Sequence, residues 1–395
     1  MSIELVRSEI ERFLSTDEPE VICISGPWGV GKTFAWNRYL KDALARNKIA
    51  LGRYSYVSLF GVNSLEEFKY SIFENSMKCS DIGVQPSLET LRSNTTAVGE
   101  RLGKASLSIL QRTPFVKNYL GGLGPVWFLS VSKAVVCIDD FERKGAKLEA
   151  RDVLGLISSL KEFKACKVCL ILNEDALGED SSDFRKYLEK IVDIFLKFEP
   201  SATECVDIAF PGATGTLKVL AESCVALAIS NIRLIKRIER SVRKVEPMLN
   251  GFDVQILRQA VQSLALLGWA VYEPNRAPSL DYLLERRGAD PFGTDKDKPV
   301  PANEASWNAL LDGYGFLSMD DFDRALLDGV RNGFFDPSLI MKLGSDLDMQ
   351  VKAGKLSNSF HDAWRMYHDS FADNEQEVLE AIRRSFIEGA KFIPP

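Results

Sequence analysis

Histidine is almost missing from this chain: His361 and His368 are the two in 395 residues. A nuclease, protease or deaminase that works through several imidazoles has too few of them here. The pair is separated by seven positions, about two turns along one helix face, with Asp362 and Asp369 nearby. Two such ligands make a poor metal site, so both read as surface or core side chains. Regularly spaced cysteine is also lacking. Seven cysteines, an odd number without a repeat, make no disulfide framework. No signal peptide precedes the first helix, and a cytoplasmic location is expected. Cys166-Lys-Val-Cys169 has a redox or metal spacing, but it enters the apolar run Val168-Cys-Leu-Ile-Leu172 with no second pair, and reads as core thiols.

Excess positive charge is absent as well. Lys and Arg total 49 against 55 Asp and Glu, a net charge of −6. That excludes a protein coated with cations for non-specific nucleic-acid binding, while a local basic patch stays open. Long uninterrupted apolar runs are lacking too. The apolar, aromatic stretch 113–131 carries Lys117 and several Gly/Pro breaks, so it is too interrupted to span a bilayer. It reads as a buried insertion or a partner surface, with a membrane-touching segment as the alternative.

What is present is an ordinary globular composition, 46% hydrophobic and 26% charged, with length for two or three units. Ile3, Val6, Ile10 and Phe13 recur at helical spacing. Val21-Ile-Cys-Ile-Ser25 is a short strand, 32–46 a helix, 53–60 a second strand, and Asn63-Ser-Leu-Glu-Glu67 a helix cap. Residues 79–130 are polar and then glycine-rich, a helical insertion. Beyond it come a strand at 134–138, a helix at 148–164, a strand at 167–172, a helix at 184–192 and a strand at 194–198. Strands alternating with helices predict a parallel sheet of about five strands in an α/β domain over 1–200.

From residue 202 helical periods dominate, with candidates at 202–210, 215–229, 231–246, 252–271, 279–287, 303–312, 319–332, 337–354, 357–371 and 374–388. The Gly-, Pro- and Asp-rich stretch 288–301 predicts a linker between an α-helical lid, 201–288, and an α-helical C-terminal domain, 302–395. Tail aromatics such as Phe360, Trp364 and Tyr367 are explained by packing.

The chemistry concentrates in the first domain. Gly26, Pro27, Trp28, Gly29, Val30, Gly31, Lys32 and Thr33 form a glycine loop between a strand and a helix, with Phe34 next. Such a loop wraps backbone N–H groups around phosphates, and the helix N-terminus adds a favourable dipole. Lys32 is expected to reach the β/γ-phosphates of ATP and Thr33 to ligate Mg²⁺. Asp139 and Asp140 end an apolar strand. Asp139 is expected to hold Mg²⁺ through its water shell, and Asp140 to orient or deprotonate the attacking water. Solvated strand-end acids are the plainer alternative. Asn173 follows the strand 168–172, where an amide can bind water and phosphate oxygen together. Starting a turn with Glu174 and Asp175 is its alternative. Arg233 opens a helix with six cations, where it could present a guanidinium fork to the γ-phosphate or belong to a solvated face.

Gly26-Pro-Trp-Gly-Val-Gly-Lys-Thr33, Ile138-Asp-Asp-Phe-Glu-Arg143, Tyr187-Leu-Glu-Lys-Ile191 and Asn231-Ile-Arg-Leu-Ile-Lys-Arg237 resemble the KAP P-loop NTPases over residues 1–250. The resemblance implies an additional-strand NTPase core with a helical lid, related to the STAND and AAA+ groups. It implies the roles given above for the pair Asp139 and Asp140, a nucleotide contact for Arg233, and a charge-stabilising role for Arg143 or Lys190 within or between subunits. Many KAP members carry transmembrane helices between the two acid and glycine motifs. This chain has an insertion there without a spanning segment, which favours a soluble member.

The expected function is an ATP-binding, ATP-hydrolysing switch that couples nucleotide state to a homo-oligomer or effector protein. The resemblance adds a role in prokaryotic defence against phage or plasmids. A DNA-acting AAA+-like motor or loader and a non-hydrolysing ATP-bound scaffold are the alternatives.

Overall fold

The computed structural model describes residues 3–82, 128, 130–176, 181–286, 302–369 and 375–389, and it divides into two compact units, Met1–Pro200 and Ser201–Pro395.

In the first unit helix α1 (Ile3–Ser15) precedes β1 (Val21–Ser25), α2 (Lys32–Ala45), β2 (Arg53–Ser58), α3 (Leu65–Glu74) and β3 (Met77–Lys78). After the insertion come β4 (Ala134–Asp139), α4 (Ala150–Glu162), β5 (Lys167–Leu172), α5 (Ser181–Ile191) and β6 (Ile194–Lys197). The strands lie in the order β3-β2-β4-β5-β1-β6. All neighbours run parallel except β3, whose Met77 and Lys78 pair antiparallel with Tyr54 and Arg53. The sheet therefore has six strands where about five parallel ones were expected. The sixth is two residues long, below what a period of two can reveal. β5 stands between β1, which carries the glycine loop, and β4, which carries the acid pair, so the additional strand is real.

The three central strands are buried along their whole length, as helices on both faces of a parallel sheet require. Alternate residues feed two separate cores. Val21, Cys23, Val136, Ile138, Val168 and Leu170 meet Phe68 and Ile72 of α3 and Val153 and Ile157 of α4. Ile22, Ile24, Val135, Cys137, Cys169 and Ile171 meet Val6, Ile10 and Phe13 of α1 and Trp36 and Leu40 of α2. Trp36 is fully buried, edge-on to Phe13 at 6.3 Å, and its indole N–H donates to the Tyr54 hydroxyl at 3.0 Å. Truncating such a side chain costs roughly 3–5 kcal/mol. Cys166 and Cys169 are free buried thiols, as their apolar surroundings predicted.

The second unit is helical: α6 (Ala202–Ala209), α7 (Gly215–Ala226), α8 (Ile232–Val245), α9 (Val254–Tyr272), α10 (Leu280–Glu285), α11 (Ala302–Tyr314), α12 (Asp321–Asn332), α13 (Pro337–Asp369) and α14 (Glu375–Gly389). Caps mark the starts that sequence alone suggested. Ser201 and Glu204 form a capping box, Asp320 and Asp323 another, and Asn231 accepts from the Leu234 N–H. Gly268 lets α9 lie against α8, since a Cβ there would fall 2.8 Å from Ile238 Cγ1. One buried core takes Cys205, Ile238 and Leu264 together with Leu311, Phe322, Leu326 and Ile340. Helices on both sides of 287–301 thus share a core, and the expected division there into lid and tail does not interrupt it. Helices expected at 337–354 and 357–371 are one element, α13, because Gly354 alone does not break a helix.

Of the expected helical insertion, Cys79–Asp81 is a single 3-10 turn, and 83–127 lie outside the described residues. So do the side chains of His361 and His368. No helix among the described residues is long and apolar enough to cross a membrane.

Candidate functional site

Loops at the C-terminal ends of β1, β4 and β5 gather the sequence-predicted residues of the first unit, the edge at which open parallel sheets bind ligands. Gly26 leaves β1 with its N–H bonded to the Leu172 carbonyl at 3.3 Å. A Cβ on Gly26 would stand 2.2 Å from the Phe198 carbonyl oxygen, so no other residue fits. Gly29 and Gly31 take φ of 78° and 95°, left-handed values that suit glycine. Gly31 then caps α2 without any side-chain cap and without an acid in the first turn. An uncapped helix start facing a glycine loop is an anion cradle.

Lys32 is 8% exposed and folds inward, its ammonium donating to the Gly26 carbonyl at 2.6 Å and the Pro27 carbonyl at 2.8 Å. Thr33 donates its hydroxyl to Asp139 Oδ2 at 2.6 Å, joining the loop to the acid strand across 106 residues. Tyr56 donates to the same oxygen at 2.8 Å, and the Asp140 N–H donates to Asp139 Oδ1 at 2.8 Å. Burial raises the Asp139 carboxyl above its ordinary range, and these three donors oppose the rise. The Tyr56 phenol is pushed well up, first by burial and then by Asp139, so it stays a donor.

Asp140 adopts φ 55°, ψ 39°, a left-handed conformation that turns the chain out of β4. Such backbone in a non-glycine costs about 1–3 kcal/mol and concentrates at functional positions. Ser58 donates to Asp140 Oδ2 at 2.7 Å, and Arg143 Nη1 approaches Oδ1 at 3.5 Å with its guanidinium 4.0 Å above the Phe60 ring. Asp139 and Asp140 are thus not loose solvated acids. Asn173 is 5% exposed at the end of β5, where it heads a short 3-10 turn through Ala176. It therefore starts a turn and is buried at the site edge at once. Trp28 and Phe34 are each 55% exposed.

Arg233 is placed in the second unit, exposed in the first turn of α8 behind its Asn231 cap. Lys190 is exposed in the last turn of α5.

One carboxylate and one hydroxyl are a sparse protein ligand set. Mg²⁺ accepts such a set when waters and substrate phosphates complete its octahedron. Among the described residues no group of three or more His, Cys, Asp or Glu could hold a metal alone. A cation beside Asp139 would also reverse the effect of burial on its carboxyl. The residues present fit Mg²⁺ with a nucleotide.

Sequence reasoning assigned no role to Tyr56, Ser58 or Glu142. Tyr56 and Ser58 could have been found by pairing β2 with β4, which sets Ser58 opposite Asp139. Glu142 was visible as part of the acid motif, but its partners depend on how the loops fold.

No family model matches the chain, and no curated protein matches it. Among solved structures, Cdc6p from Pyrobaculum aerophilum aligns over 88% of this chain and 93% of its own, at 14% identity and TM-score 0.36. Drosophila ORC bound to DNA aligns over 79% of this chain and 77% of its own, at 13% identity and TM-score 0.34. Scores this low transfer no residue role. The case for the site is its own geometry.

Proposed function

We propose that this chain binds ATP with Mg²⁺ on the 26–33 loop and hydrolyses it as a regulatory switch. The observation that carries the reading is the assembly of Lys32, Thr33, Asp139 and Asp140 at the ends of β1 and β4, on either side of β5, with Thr33 and Asp139 already bonded at 2.6 Å. The loop N–H groups and the α2 N-terminus receive the phosphates. Lys32 exchanges its two loop carbonyls for β/γ-phosphate oxygens, which bear full charge and attract the ammonium more strongly. Thr33 and Asp139 would hold Mg²⁺, which would supply charge neutralisation on the phosphates. Asp140, oriented by Ser58, positions the attacking water and takes its proton. Asn173 reads the γ-phosphate, Arg143 stabilises charge within or between subunits, and a nucleotide contact for Arg233 is what the KAP resemblance implies. The helical unit passes the nucleotide state to an oligomer or effector. Defence against phage or plasmids is the setting that the KAP resemblance suggests.

Steady-state ATPase assays on wild type, Lys32→Ala and Asp140→Ala test this. Turnover that both substitutions lower at least about a hundredfold is expected. Wild-type turnover that survives Lys32→Ala overturns the reading. Tight ATP binding without turnover favours the scaffold alternative.

A second reading, action on DNA, is favoured by α8. Arg233, Arg237, Arg240 and Lys244 lie at i, i+4, i+7 and i+11 on one exposed stripe. Arg237 is stacked 3.6 Å from the Tyr272 ring, and Glu239 pairs with Lys236 and Arg243 beside the stripe. Stimulation of turnover by DNA that fades with added salt supports this reading, and indifference to DNA supports the switch.

A further inference from the structure

We infer that Glu142 is a positioning residue that ties the glycine loop to Asn173, with Trp28 as its hold on the loop. The inference rests on the ATP reading and adds to it a mechanical link inside the same site.

Two segments distant in sequence meet on this one carboxylate. The Trp28 indole N–H donates to Glu142 Oε1 at 2.6 Å, across 114 residues. The Asn173 backbone N–H donates to Glu142 Oε2 at 3.1 Å, across 31 residues. Glu142 sits in the 3-10 turn Phe141–Arg143 directly after the acid pair, and the fully buried Phe141 anchors that turn in the core. The carboxylate is therefore presented from a fixed point, while what it holds is less constrained. Trp28 is more than half exposed, so core packing does not fix its rotamer. The loop around it contains two left-handed glycines, which allow it many conformations. A bond to an ionised acceptor is roughly twice as strong as a neutral one and suits the task of limiting that freedom.

The residue type matters. An ionised glutamate offers two acceptor oxygens and no donor, so it can serve an indole N–H and an amide N–H together. Glutamine presents an NH₂ group to one of them and keeps a single acceptor. The two partners are also the two places where filling of the site would be felt. Trp28 belongs to the loop that receives the phosphates, and Asn173 carries the amide assigned to the γ-phosphate. Movement at either is passed to the other through the side chain between them. A surface hydrogen bond with a merely structural role would alter thermal stability and leave the kinetic split below unmoved.

Kinetics of full-length Trp28→Phe, Glu142→Gln, Glu142→Ala and the Trp28→Phe/Glu142→Ala double variant with MgATP test the link. Trp28→Phe frees the loop alone, and is expected to raise KM about fivefold with kcat within about twofold of wild type. Glu142→Ala frees both ends, and is expected to raise KM equally and lower kcat about tenfold. Glu142→Gln, isosteric and safe for folding, falls between. The double variant should match Glu142→Ala within about twofold, since Trp28 then has nothing left to hold. The Trp28 emission, taken as wild type minus Trp28→Phe, should change on adding MgADP, and the same difference in the Glu142→Ala background should not.

Losses that multiply in the double variant, or wild-type kinetics for both Glu142 variants, overturn the link and leave the ATP reading standing. Failure of wild type to bind MgATP or MgADP overturns both.

Discussion

Two buried aspartates, one in each unit, have the same electrostatic problem and different company. Asp139 ends β4, and Asp323 lies in the first turn of α12. Burial raises both carboxyls, Asp323 to about 6. Each accepts from a hydroxyl, Thr33 and Tyr56 in the first case and Ser263 in the second. The difference lies in the other partners. Asp323 exchanges caps with Asp320, whose second oxygen accepts from Gln259 at 2.8 Å, so its bonds close a helix start and lead nowhere else. Asp139 is bonded to a loop residue that has its own reason to let go. A desolvated carboxylate is structural when its donors are committed, and available for chemistry when they can be exchanged.

The largest expected break in this comparison is Asp139→Ala against Asp323→Ala. Asp139→Ala should lower ATP turnover at least about a hundredfold while thermal unfolding stays near wild type, because the half-buried Thr33 and Tyr56 hydroxyls that it releases can turn to water, whereas Ser263 is buried. Asp323→Ala strands the Ser263 hydroxyl and the Asp320 N–H, and should cost roughly 2–4 kcal/mol with site chemistry intact. Denaturant unfolding and ATPase rates on both variants check this. Equal stability losses would erase the distinction.

Smaller, and sharper, is the response to pH. A carboxyl raised in the folded state binds its proton more tightly there than in the unfolded chain. Its contribution is fully present below the ordinary value near 3.8 and is lost as pH rises toward about 6. Unfolding free energy should therefore fall across that window by on the order of 1–3 kcal/mol and then level. Asp323→Asn should flatten most of this fall. Asp139 adds a fall of the same sign, and saturating MgADP should remove the Asp139 part and leave the Asp323 part. Chemical denaturation at a series of pH values, with and without MgADP, reads both. A MgADP effect on the slope in Asp139→Asn would contradict the assignment.

The smallest expected effect is Ser58→Ala. It removes one donor from Asp140 while the Arg143 guanidinium remains nearby, so kcat should fall about three- to tenfold. The matching change in the helical unit, Ser263→Ala, should leave kcat unchanged and lower the melting temperature.

These contrasts also explain what could be read from the sequence. β1, β4 and β5 were legible because strands buried on both faces spell continuous apolar runs. Lys32, Thr33, Asp139 and Asp140 were legible because a strand, a turn and a charge adjacent in sequence identify them. Ser58 and Tyr56 were not, since their meaning comes from the register of β2 on β4. Glu142 was seen without its purpose, because hydrogen bonds across 114 and 31 residues leave no local pattern. The two-residue β3 is too short for any periodicity, and the joining of 337–354 to 357–371 depended on one glycine that a helix tolerates.

The seven reduced thiols have a practical corollary. All are buried, five in the sheet unit and two, Cys205 and Cys224, in the helical unit. Burial raises the Cys205 and Cys224 thiols to about 12, so little thiolate exists in the native fold at neutral pH. A maleimide added to the native protein consequently meets almost no reactive sulfur until a unit opens. Counting labels by mass against time would clock the opening of each half of the chain separately, with no engineered probe.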